Sequence, residues 1–108
     1  MQDFETYIVV VAHLRALPGK EDALRQRLRT LMEEVKDHEG MLLNSIHQSR
    51  TDPRNFVFYE QFASEAAIAA HGATPELERW RAEKPQYVES GQYDTWQMIN
   101  RAGSTVRG

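Results

Sequence analysis

Glu60 lies in the run Phe56–Phe62 (FVFYEQF), with Phe58 two residues before it and Phe62 two residues after. Side chains of a strand alternate with period two, so these three share one face. A carboxylate among aromatic rings is partly desolvated, which raises its pKa and suits it to work as a base near neutral pH. The structural alternative is a Glu that caps a backbone amide or pairs with an arginine. His71 closes an alanine-rich helical stretch. It can act as acid or base near neutral pH, or it can simply be a histidine favoured by the negative end of a helix dipole. Asn44 shares a strand face with Leu42 and Ile46. A buried amide there needs hydrogen-bond partners, and a ligand carbonyl or a turn backbone would serve. Trp80 and Leu77 can wall a pocket for a flat ligand, or can be plain core.

Other chemistries lack their residues. The chain has no cysteine, so disulfides, thiolate nucleophiles and Cys-based metal sites are excluded. His13, His38 and His47 show no metal-ligand spacing with any Asp or Glu. They read as surface or interface residues, and no metal site is expected. There is no Gly-rich phosphate loop and no nucleophile elbow. A net charge of -3, with Lys and Arg scattered among acids, argues against nucleic acid as the main partner. The apolar run Tyr7–Leu14 is too short to span a membrane and lacks the flanks of a signal peptide. A cytoplasmic protein is expected.

The elements that position these groups follow from patterning. The length of 108 residues suits one domain, expected over residues 1–100, with 101–108 a loose tail. Tyr7–Leu14 is β-branched and apolar, as in a strand covered on both faces. After Pro18 and Gly19, Leu24, Leu28, Leu31, Met32 and Val35 mark an amphipathic helix over Lys20–His38, with Gly40 as its C-terminal cap. Met41–Ser49 and Asn55–Phe62 form a hairpin about a turn that holds Pro53. Ser64 caps a helix over Glu65–His71, Gly72 and Pro75 interrupt it, and Glu76–Glu83 restarts it. Gln92–Asn100 is the last strand, with Tyr93 and Trp96 as its aromatic anchors.

The order β-α-β-β-α-β predicts an α+β, ferredoxin-like fold with a four-stranded antiparallel sheet. Both crossovers put helices on one face. Because the first strand is apolar on both parities, a second subunit packed sheet against sheet is the simplest cover for the other face.

The stretch Val10–Gly19 (VVAHLRALPG), Gly40 opening the second strand, His47–Ser49 with Asp52 and Pro53, then Phe56–Phe62, Ser64, Glu65, Ala67, His71, Thr74 and Pro75 together resemble the antibiotic biosynthesis monooxygenase family. The resemblance runs from about Tyr7 to Ile99. It implies a homodimer of the dimeric α/β-barrel kind, with a pocket in each subunit between sheet and helices. It also implies that Glu60 and His71 are catalytic, and that Asn44, Phe58, Phe62 and Trp80 bind substrate. Known members include cofactor-independent quinone-forming oxygenases, quinol monooxygenases, haem-degrading enzymes and an isomerase of a phosphorylated sugar. The haem-degrading relatives carry Asn and Trp where this chain has Ala12 and His71. The polyketide-oxidising ones carry Asn and Trp where it has Phe58 and Phe62. Many quinol-oxidising and isomerase-like members have a second His after Thr-Pro, where this chain has Glu76, and often an aromatic where it has Asn44.

The expected activity is therefore oxidation of a small phenolic or quinol-type aromatic by dioxygen, without cofactor. A phenolate can itself reduce dioxygen, so the protein needs a base, a dry cavity and groups that stabilise the anion. The alternatives are an isomerase acting through an enediol with the same two groups, and a non-enzymatic dimeric protein that binds a small ligand.

Overall fold

The computed structural model describes residues 4–103. β1 (Ile8–Ala16), α1 (Glu21–Val35), β2 (Met41–Gln48), β3 (Asn55–Phe62), α2 (Glu65–Gly72), α3 (Pro75–Glu83) and β4 (Val88–Gln97) follow in that order. Short 3-10 turns at Phe4–Thr6 and Lys84–Gln86 lead into β1 and β4. The strands form one antiparallel sheet in the order β2-β3-β1-β4, the ferredoxin-like arrangement.

The helices cover one face of the sheet. On β1 that face carries Val10, Ala12, Leu14 and Ala16, and their registry partners on β3 include Glu60, Phe58 and Phe56. α1 lays Leu24, Leu28, Leu31 and Val35 against it, at spacings of four, three and four that keep them on one helical stripe. Trp80 of α3 completes this cluster, and a smaller one joins Val10, Phe62 and Ala67 of α2. Ser64 caps α2, its hydroxyl accepting from the Ala67 amide at 3.1 Å. Thr74 donates to the His71 carbonyl at 2.9 Å, and Pro75 then starts α3 at a position that needs no amide hydrogen.

Several boundaries differ from the sequence expectation. α1 ends at Val35, not His38, and residues 36–40 turn back toward α2. Gly40 is accordingly not the helix cap. It has φ +80° in the turn that opens β2, and a Cβ there would lie 2.5 Å from Cβ of Ala67. β1 runs to Ala16 and β4 begins at Val88, because Arg15 and Ala16 still find partners in Ser90 and Val88 across a bulge. β4 stops at Gln97, whose side-chain amide turns aside to donate to the carbonyls of Glu5 at 2.8 Å and Tyr7 at 3.1 Å.

β4 also departs in its environment. Tyr93 and Trp96 do not act as buried anchors among the described residues: they are 72% and 58% exposed. Tyr93 stands opposite Ala12 on the helix-bearing face and Trp96 opposite Val9 on the other, so β4 is open on both sides. Leu42 and Leu43, at the start of the other edge strand, are exposed too. Arg101 lies over the rings of Phe4 and Tyr7 at 5.5 and 5.9 Å; the rest of the expected tail, 104–108, lies outside the described residues. Among the described residues no helix is long and apolar enough to cross a membrane.

Candidate functional site

Between the sheet and the helices lies a cavity of about 110 Å³. That is the scale of a space that accepts a single aromatic ring. The sheet supplies Ala12, Leu14, Asn44, Phe58 and Glu60; α1 supplies Leu31, Met32 and Val35; and His71, Leu77, Trp80 and Lys84 close it. The small side chain of Ala12, opposite Phe58, leaves depth that a larger residue would fill. Five of the six residues singled out from the sequence thus line one cavity. The sixth, Phe62, is fully buried behind His71, its ring centroid 5.2 Å from the imidazole.

Glu60 sits on the central strand β3, flanked by Val10 of β1 and Asn44 of β2. Among the described residues nothing hydrogen-bonds its carboxylate, so neither an arginine nor a backbone amide offsets its loss of water. Burial alone pushes its pKa up to about 7. Among the described residues, Asn44 presents a buried Oδ1 with no partner, and its Nδ2 reaches the Met41 sulfur at 3.6 Å. An unfilled acceptor is left at the cavity wall. Trp80 is held by the Arg27 guanidinium over its ring at 5.6 Å, and Arg27 in turn binds Glu83 at 2.9 Å.

His71 shares the cavity with Glu60, and its hydrogen-bond partner lies elsewhere. No hydrogen bond joins the two. The partner of His71 is His38, Nδ1 to Nδ1 at 2.8 Å, and the Nε2 of His38 meets the Glu76 carboxylate at 2.8 Å. His38 is therefore not a surface residue; its side chain is 12% exposed. The early end of α1 brings it there, because the turn after Val35 folds back over the end of α2. Its amide donates to the Val35 carbonyl at 3.0 Å.

Electrostatics at His71 set burial against the helix terminus. The C-terminal end of α2 favours a cation, yet burial comes first, and His38 and Arg81 add to it. Together they push the imidazole down to about 4 against the opposing pull of Glu76. Glu76 lies below the usual carboxylate range, chiefly through its hydrogen bond from His38. At neutral pH the cavity thus presents a neutral imidazole and a carboxyl close to half-ionised. Among the described residues no three His, Asp or Glu side chains converge to hold a metal. His38 spends its two nitrogens on different partners, so His71, His38 and Glu76 make a chain rather than a cage.

Two residues of this site carried weak sequence signals. His38 looked like part of a helix end, and only the hairpin-like return before Gly40 would have pointed inward. Lys84 is the one cationic side chain among the described residues that line the cavity, with no motif around it. A wider groove of about 550 Å³ between α1 and the far end of the hairpin is lined by Arg25, Arg29, His47 and Arg50, but it contains neither Glu60 nor His71.

A ferredoxin-like sheet with a ring-sized cavity under its helices defines a class of small α+β proteins that hold a ligand between sheet and helices. The antibiotic biosynthesis monooxygenase family profile matches residues 7–83, and the chain belongs to that family. A protein of Pseudomonas aeruginosa is similar at 25% identity, covering 92% of this chain and all of that one, with a TM-score of 0.84. A protein of Shewanella oneidensis is similar at 29% identity, covering 85% and 90%, with a TM-score of 0.80. A Nitrosomonas europaea protein provisionally named an antibiotic biosynthesis monooxygenase shares the fold at 22% identity, covering 95% of this chain and 100% of that one, with a TM-score of 0.84. By sequence, an uncharacterized protein of Synechocystis is 24% identical over 81 residues, 75% of this chain and 55% of that relative. The chain thus spans about half the length of the curated relative it matches.

Proposed function

We propose that this protein oxidises a small phenolic or quinol-type aromatic with dioxygen, using no resident metal, flavin or haem. The observation that carries this reading is Glu60: a lone carboxyl, raised to about 7, in the wall of a cavity sized for one ring. A base is most effective when its pKa lies near the working pH. Glu60 takes the phenol proton; the phenolate gives its electrons to dioxygen, which is the oxidant. A carbon–oxygen bond forms at the ring and the second oxygen leaves as water, so phenol plus dioxygen yields quinone plus water. Trp80 and Phe58 flank the ring, and the unfilled Oδ1 of Asn44 accepts from a ring hydroxyl. His71, neutral and lining the same cavity, is a second group that can take up a proton released from the ring.

The site is proposed to work in a homodimer, with a second copy covering the exposed β4 and the apolar sheet edge. A panel of phenols and quinols should give substrate-dependent oxygen uptake with chelator-treated protein, and Glu60→Gln should lower it by about 10²-fold or more. No uptake across the panel, or undiminished uptake in Glu60→Gln, overturns the reading. Exchange of substrate-carbon protons with solvent, without oxygen uptake, would indicate the enediol isomerase instead.

A further inference from the structure

We propose that His71, His38 and Glu76 form a proton relay, in which His38 and Glu76 are positioning residues that set which nitrogen of His71 carries its proton. The inference rests on the reading of His71 as a cavity group.

Two Nδ1 atoms 2.8 Å apart share one hydrogen: one donates and the other accepts. At the other end, the Glu76 carboxylate is an acceptor, so the Nε2 of His38 donates to it. When His38 is neutral, its only hydrogen is therefore on Nε2 and its Nδ1 is a lone pair. His71 must then donate from Nδ1, which leaves its Nε2 bare, a proton acceptor. When the array carries one more proton, both nitrogens of His38 are protonated. Its Nδ1 now donates to His71, whose single hydrogen moves to Nε2, a proton donor. A proton taken up at Nε2 of His71 thus releases the Nδ1 proton to His38: one enters, none is lost, and no bond to carbon changes. The positive charge comes to rest on His38 against Glu76, and His71 is neutral in both states.

The surroundings suit this division of labour. His71 is 8% exposed and its ring packs on Phe62, so a cation there would lack water. Glu76 lies in the first turn of α3, where the helix terminus favours negative charge, and its side chain is 23% exposed. Arg81 of α3 opposes a cation at His71, and Lys84 lines the same cavity. Glu60 faces it across the cavity, Arg79 stands near Glu76, and Asp37 and Glu39 flank His38 in the turn.

Nitrogen-15 NMR of histidine-labelled full-length protein reads the tautomer directly, without substrate or activity. At neutral pH His71 should show a protonated Nδ1 and a bare Nε2, and His38 the reverse. On acidification the hydrogen of His71 should move to Nε2 as His38 becomes doubly protonated. Glu76→Gln removes the carboxylate that holds the added charge, so this change should move at least one unit lower in pH. His38→Asn offers an amide oxygen where Nδ1 was. It should keep the Nδ1 hydrogen of His71 but abolish its pH-driven move, an effect that a merely structural role for His38 would not produce. His71 with a protonated Nε2 at neutral pH in the wild type, or a switch unmoved in both variants, overturns the relay. A relay present without oxygen uptake would remove the proposed activity and leave this inference standing. Oxygen uptake without the relay would do the converse.

Discussion

Two titratable side chains line one cavity, and burial moves them in opposite directions: Glu60 up to about 7, His71 down to about 4. The neutral form is favoured in both cases, so each opposes stability when it must charge. For Glu60 the unfolded chain gives up its proton first, so stability falls as pH rises from about 4.5 to about 7. For His71 the unfolded chain takes up the proton first, so stability falls as pH drops from about 6.5 to about 4. Between these limits the two slopes offset. Glu60→Gln removes the first one alone. Relative to wild type, the variant should gain up to about 3 kcal/mol between pH 4 and pH 8, measured by urea unfolding at each pH. Parallel wild-type and variant curves would show that Glu60 is not desolvated. The apolar setting of Glu60 was visible in the sequence, because strand alternation and two flanking phenylalanines announce it, whereas a cavity position for His71 followed only from the family resemblance. The partner of His71 was not visible. His38 and Glu76 are far apart in sequence, and they meet only because a turn and a helix start converge on the end of α2.

At the scale of elements, periodicity carried most of the architecture. The stripe of Leu24, Leu28, Leu31 and Val35, the uninterrupted run of β3 and the Ser64 cap each appear where the pattern put them. The ends were less legible, because a strand continues as long as a neighbour offers hydrogen bonds. β4 starts at Val88 through pairing with Ala16, a fact no local pattern contains. Gly40 shows the same limit. Its glycine character was read as a helix cap, whereas the need is both a left-handed φ and room for Ala67. Since the Gly40 carbonyl also accepts from the Ala63 amide at 2.8 Å, the turn cannot retreat without loosening the entry to α2. Gly40→Ala combines the φ penalty with overpacking, for an expected loss of about 2–4 kcal/mol. Denaturant midpoints with an unchanged m-value would measure it. A loss under about 0.5 kcal/mol would mean that the contact with Ala67 relaxes freely.

At the scale of the whole molecule, the helices cover only part of the sheet. β4 is a ten-residue edge strand exposed on both faces, with Tyr93 on one and Trp96 on the other. A long open edge with large aromatics invites pairing or burial, and natural edges of this kind are usually blunted or covered. A second copy packed sheet against sheet would cover Trp96, on the face away from the helices. Sedimentation equilibrium at micromolar concentration should therefore give a species of twice 12.5 kDa. Trp96→Glu places a charge in the covered face and removes an aromatic anchor, so it should weaken the dimer by at least about tenfold. His71 and Glu60 lie on the helix side, on the far face of the sheet from Trp96, so their titrations should survive this change. A wild-type protein that sediments as a monomer would sink the dimer. A Trp96→Glu variant that dimerises as tightly as wild type would move the interface elsewhere on the sheet, away from β4.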